Sequence, residues 1–229
     1  MICVYALVSP PVRARLSGLA GERLRSVQVD GIAAIVGDVR RRPTSSRNNL
    51  RKYAAVVERI AARTPAILPV RFGTTFDHSA DLTTVLQLRR DALRARLHAI
   101  RGRVQMTIRL ISESESGDAS RSSQSHAAPR SRVRLEHGAT QGTQYLQQRV
   151  ALAQQMRQVP ELAPIRAAIQ RLVKDERVER RSGIVTVHHL VPRGMADRYR
   201  AAVARAADDV GMRIAVTGPW APYAFADNW

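Results

Sequence analysis

The chain has 229 residues and a formal net charge of +18, from 37 Lys and Arg against 19 Asp and Glu. Nearly all of that charge is arginine, because Lys52 and Lys174 are its two lysines, and a guanidinium stays protonated at every working pH. A hydrophobic fraction of 45% excludes a disordered basic tail, the lone Cys3 excludes a disulfide framework or a Cys-based zinc site, and no apolar run approaches the roughly 20 residues of a membrane helix. Met1 to Pro11 is apolar but has neither a basic leader nor a cleavage pattern, so it reads as a first strand, and the expectation is a soluble, cytoplasmic protein.

Ile2 to Val8 is β-branched and aromatic, and Pro10-Pro11 closes it as a strand end. Val27 to Val29 and Ile32 to Val36 flank Asp30-Gly31, the strongest short hairpin signal. From Asn48 to Ala62 the apolar positions Leu50, Tyr53, Val56, Val57 and Ile60 recur at three and four, which predicts an amphipathic helix. A short apolar strand follows near Ile67, with Pro65 and Pro69 favouring an edge or a strand entry. Ser79 can then cap a helix whose stripe is Leu82, Val85, Leu86, Leu93, Leu97 and Ile100, stopped by Gly102. Val104, Met106, Ile108 and Leu110 alternate with polar neighbours and predict a half-buried strand.

Residues 112–142 change character: eight of the twenty from Ser112 to Ser131 are serine, which predicts a disordered loop. Two helical patterns follow, Leu146 to Met156 and Leu162 to Val173, read as a helical hairpin. A strand over Gly183 to Val191, a helix with Tyr199, Ala202, Val203, Ala206 and Val210 on one face, and a last strand from Met212 to Val216 complete the chain. From Ile67 onward this gives two βαβ units separated by a helical insertion. The fold class expected is α+β: an N-terminal α+β domain over 1–63 and a modified ferredoxin-like, split-βαβ domain over 64–229. The second would carry the Ser-rich loop, a helical extension over 143–181 and an aromatic tail over 218–229.

No catalytic, cofactor or metal constellation emerges. His188 and His189 are adjacent, so in a strand they point to opposite faces and do not share an ion. Cys3 reads as a small buried hydrophobe. Glycines such as Gly73 and Gly102 are isolated, which leaves no phosphate loop and no nucleophile elbow. The charge raises nucleic-acid binding, but the strands around Val104 to Ile111 and Ile184 to Val191 hold no aromatics to stack bases. By segment, 1–66 carries +8, 67–111 carries +5, 143–182 carries +4, and 112–142 is neutral. Such a spread points to a basic surface for an acidic protein partner. A basic module binding nucleic acid without sequence preference is the rival reading.

The C-terminus is the most informative stretch. Trp220, Tyr223, Phe225 and Trp229 are four of the ten aromatics, interleaved with Pro219 and Pro222, and such a tail should pack. One reading is a clasp between the two domains; the other is an exposed patch for a partner.

Two motifs now carry a resemblance. The stretch Ile67-Leu68-Pro69-Val70-Arg71-Phe72-Gly73-Thr74-Thr75-Phe76 and the closing Thr217-Gly218-Pro219-Trp220-Ala221-Pro222-Tyr223-Ala224-Phe225, joined by the Leu190 to Arg193 turn, resemble the GvpL/GvpF family of gas vesicle proteins. The resemblance runs from Met1 to Phe225 outside the serine-rich loop. It implies a non-enzymatic role in gas vesicle formation, with the major shell protein and other gas vesicle accessory proteins as partners, no cofactor and a tail packed between domains. Arg71, between Val70 and Phe72, is expected to tie its strand to the tail or to the N-terminal domain; the alternative is a solvent-exposed edge arginine.

Overall fold

A computed structural model describes residues 1–10, 16–111, 159–181, 184–208 and 213–226. The serine-rich stretch, the first expected helix of the hairpin and Trp229 lie outside them.

The first sheet is antiparallel in the order β2 (Leu24–Val29), β3 (Ile32–Asp38), β1 (Ile2–Val8), β4 (Ile67–Pro69), with β5 (Thr75–Phe76) on the same side of β1 as β4. Asp30 and Gly31 turn the β2–β3 hairpin with φ of 43° and 80°, the left-handed pair a two-residue turn demands. β1 is buried along its whole length because both faces are covered. On one side Cys3, Tyr5 and Val8 share a core with Tyr53, Val56, Val57 and Ile60 of α1 (Arg47–Ala61). On the other, Val4 and Leu7 share a core with Leu82 and Leu86 of α2 (Ser79–Leu88) and Leu93 and Leu97 of α3 (Arg90–Ala99). The single helix expected after Ser79 is two, broken at Arg89 (φ −111°, ψ 9°), and both halves bury their leucines in the same core.

The second sheet is also antiparallel, in the order β7 (Asp175–Arg181), β8 (Ile184–Pro192), β6 (Arg103–Ile111), β9 (Arg213–Trp220). α4 (Ala163–Ile169) and α5 (Ala196–Ala207) cover one face, where Ile165, Ile169, Tyr199 and Val203 meet Met106, Ile108, Val187 and Val191. Its chain order is β-α-β-β-α-β.

Two expectations are corrected here. Ile67–Pro69, expected to open the second unit, pairs with Ala6 to Val8 of β1, so the change of sheet falls between α3 and β6, not at residue 64. The strand that takes its place is β7, which lies within the stretch 143–181 expected to be helical. β7 reads DERVERR: arginine and glutamate suit a helix by propensity, but charge is also how an edge strand avoids pairing with another molecule.

Candidate functional site

The edge of β1 makes the first half of the site. β4 and β5 pair with its two ends, and Val70 to Thr74 bridge the gap between them. Val70 N donates to Tyr5 O (3.1 Å) and Val4 N to Thr74 O (3.0 Å), so the ladder continues through an irregular loop. The hydroxyl of Tyr53 fills this gap, 2.8 Å from Val70 O, while its ring stacks on Tyr5 and meets Phe72 edge-on at 5.2 Å. Gly73 has φ 79°, a conformation side chains rarely adopt, and its carbonyl accepts from Arg42 Nε (2.9 Å). Thr74 closes the turn, its hydroxyl donating to Arg71 O (2.8 Å). Leu68 and Pro69 are buried in β4.

The closing motif makes the second half. Thr217 to Trp220 are the end of β9 and not a free tail; Thr217 pairs with Thr107 and Trp220 with Gln105, with an irregularity between them. Gly218 takes φ 116°, and a Cβ there would stand 2.7 Å from Gln105 O, so no other residue fits. Its carbonyl accepts from Arg200. After β9 the chain crosses to the first sheet. Ala221 N donates to Glu58 Oε1 on α1 (3.0 Å), and Ala224 N to Gln105 Oε1 on β6 (2.8 Å). Pro222 and Phe225 are buried, whereas Trp220 and Tyr223 are 46% and 40% exposed. Tail packing on both sheets is therefore what the described residues show, with two of the aromatics left at the surface.

Arginines knit this seam, though not the one expected. Arg71 is exposed, and among the described residues no carboxylate or carbonyl takes up its guanidinium. The tie is made by Arg193, whose Nη2 donates to Ala61 O (3.0 Å) and Thr64 O (3.2 Å) at the end of α1. Arg177 on β7 makes another, donating to Ala224 O (2.9 Å) with its guanidinium 5.3 Å from the centre of the Phe225 ring. A cavity of about 180 Å³ remains in the seam, lined by Glu58, Arg193, Trp220 and Pro222 among others. Burial pushes the Glu58 carboxyl up, against the lowering effects of the Ala221 amide and the Arg193 charge. Arg71 and Tyr223, one from each motif, line a second hollow of about 290 Å³.

The two histidines do face opposite sides. His189, 1% exposed, places Nε2 2.8 Å from Glu176 Oε2 and Nδ1 2.6 Å from the Tyr199 hydroxyl. Glu176 is also held by Arg166 (Nη2 to Oε1, 2.8 Å). His188 contacts Gln105 and Thr107 at 3.1 Å on the other face. Burial lowers its pKa, against the raising effect of Glu179. The Cys3 thiol is pushed up to about 11 by burial and then by the Glu22 charge, which leaves it an inert core group. Among the described residues no set of three or more His, Cys, Asp or Glu is placed to hold a metal ion, and no helix is long and apolar enough to cross a membrane.

The family described as "Gas vesicle synthesis protein GvpL/GvpF" matches residues 1–227, with both motifs inside the match. The chain belongs to this family. A relative, Gas vesicle protein F of Haloferax mediterranei, is 27% identical over 224 residues, which are 94% of this chain and 88% of the relative. Two crystal structures of GvpF share the fold. The one from an Anabaena species has a TM-score of 0.72 at 17% identity and covers 100% of this chain and 96% of its own. The one from Microcystis aeruginosa has a TM-score of 0.72 at 15% identity and covers 99% and 98%. For a GvpL/GvpF protein the seam is thus the feature in which both sequence motifs are used. Sequence alone misses Glu58, Gln105, Arg177 and Arg193 as its partners. Only Arg193 has a local signal, its place in the Leu190 to Arg193 turn.

Proposed function

We propose that this chain is a non-catalytic accessory or minor structural component of gas vesicles, which binds the major shell protein, alongside other gas vesicle accessory proteins, and assists nucleation or assembly in the cytoplasm. The observation that carries this reading is family membership across residues 1–227. Its chemistry is supported by how the motif residues are spent: Leu68, Gly218 and Phe225 build and brace the seam, Phe72 and Gly73 shape the loop beside it, and none is arranged around a reacting atom. What the seam leaves outside is Trp220, Tyr223 and an arginine-rich surface, groups suited to contact a partner. The second sheet, β-α-β-β-α-β in chain order, is in this reading the modified ferredoxin-like unit.

The test is genetic. With the gene omitted from an otherwise complete gas vesicle cluster, cells are expected to lose vesicles seen by phase contrast and to lose buoyancy, and the wild-type gene supplied in trans should restore both. Full vesicle numbers without it would count against an assembly role.

A further inference from the structure

Two hollows lie side by side on the α1 side of the first sheet and share Arg42. One, of about 790 Å³, is lined by Arg40, Arg41, Arg42 and Lys52; the other, of about 660 Å³, by Arg42, Leu50, Arg71 and Phe72. All five cations are exposed. The carboxylates nearby are already engaged: Asp38 pairs with Arg25 (3.1 Å), and Glu22 takes the Tyr5 hydroxyl and the Ala20 amide (2.9 Å). Arg42, the ridge between the hollows, is fixed through Nε by the Gly73 carbonyl, which leaves its two terminal nitrogens for a ligand. The left-handed motif glycine thereby positions the central cation of the groove. Between Arg42 and Arg71 the lining sets apolar Leu50 and Phe72 among the hydroxyls of Ser45, Thr74 and Thr75, and Leu50 is 44% exposed although it belongs to the apolar stripe of α1.

We propose that these two hollows are one binding groove for an acidic protein segment in which carboxylates alternate with apolar side chains. Its carboxylates meet Arg40, Arg42 and Arg71, and its apolar side chains meet Leu50 and Phe72. A nucleic acid fits less well. Among the described residues Phe72 is the one aromatic that lines the two hollows, so they hold no platform on which successive bases could stack. The inference rests on the reading of the chain as a binding partner in assembly, and it adds the place and the chemistry of one contact.

The probe is a fluorescent synthetic peptide of alternating Glu and Leu, titrated against the full chain and compared with a Gln-Leu peptide and a single-stranded oligo-dT. The double variant Arg40→Glu, Arg42→Glu is set beside Arg94→Glu, Arg198→Glu, which changes the net charge equally at other exposed sites. The neutral pair Arg40→Gln, Arg42→Gln guards against a folding defect, and thermal melts check all three. Expected is a loss of about tenfold or more in Glu-Leu affinity for both groove variants, little change for the distant pair, and weaker binding of the Gln-Leu peptide and of oligo-dT. Equal loss in groove and distant variants, no preference for Glu-Leu over Gln-Leu, or oligo-dT binding tighter than the peptide would overturn the proposal. Shell-protein capture by the same variants separates the two readings: capture undiminished by groove reversal sinks the groove alone, whereas peptide binding without any shell-protein capture sinks the assembly reading alone.

Discussion

Phe225→Ala is expected to destabilise the protein by about 3–5 kcal/mol, whereas Trp220→Ala, five residues earlier, should cost about 1–2 kcal/mol. The two aromatics have the same sequence context and opposite fates. Phe225 is 4% exposed and lies in the core that contains Val4, Leu68 and Val70 of the first sheet together with Leu190 of the second. Removing its ring loses the transfer free energy and leaves a cavity where the sheets meet, and it strips Arg177 of the aromatic beneath its guanidinium. Trp220 is 46% exposed on an edge strand, so its truncation uncovers less and leaves no enclosed cavity. Urea unfolding followed by circular dichroism measures both. Equal midpoints for the two variants would mean that the tail does not brace the seam.

Glu176→Ala should cost about 3 kcal/mol near neutral pH, because it strands buried His189 and removes the carboxylate that Arg166 meets at 2.8 Å. The same residue sets an acid limit. Burial alone would raise the Glu176 carboxyl, but hydrogen bonds from His189 and Arg166 outweigh it and hold the pKa down to about 2, against an ordinary 4.5. A depressed carboxylate stabilises the fold above its unfolded value, and that stabilisation drains away as pH falls through the folded value. Wild-type stability should therefore decline between pH 4.5 and about 2, by about 2–3 kcal/mol from this group. Glu176→Gln should start lower at neutral pH and show a shallower decline across the same window. Parallel curves for wild type and Glu176→Gln would place the acid sensitivity elsewhere.

Much of the first sheet is legible in sequence because its signals are local. Alternation around Asp30-Gly31 fixes the hairpin, and the spacing Tyr53, Val56, Val57, Ile60 fixes the buried face of α1. Leu50 obeys the same spacing yet is exposed, since the stripe extends past the sheet it covers. The errors come where a strand is too short or too charged for pattern to decide. Ile67–Pro69 is three residues long, and nothing in it says whether β1 or β6 is its neighbour. Asp175–Arg181 holds one apolar residue, Val178, and its strand character comes from unbroken pairing with β8. The seam was half visible for a related reason. The motifs locate both strips of chain that form it, but the groups that join them lie far away in sequence. Arg193 and Thr64 are 129 residues apart, and Ala221 and Glu58 are 163 apart. Arg71 has the sequence position of a tie but is exposed, which only the fold distinguishes.

On the proposed function, this chain binds the gas vesicle shell protein through its folded surface. Capture of purified major shell protein by the immobilised full chain, at low and at physiological salt, tests it most directly. Retention is expected at both, stronger at low salt because exposed arginines contribute to the contact and are screened as salt rises. Absence of retention at either salt concentration, with the chain shown to be folded, would contradict it.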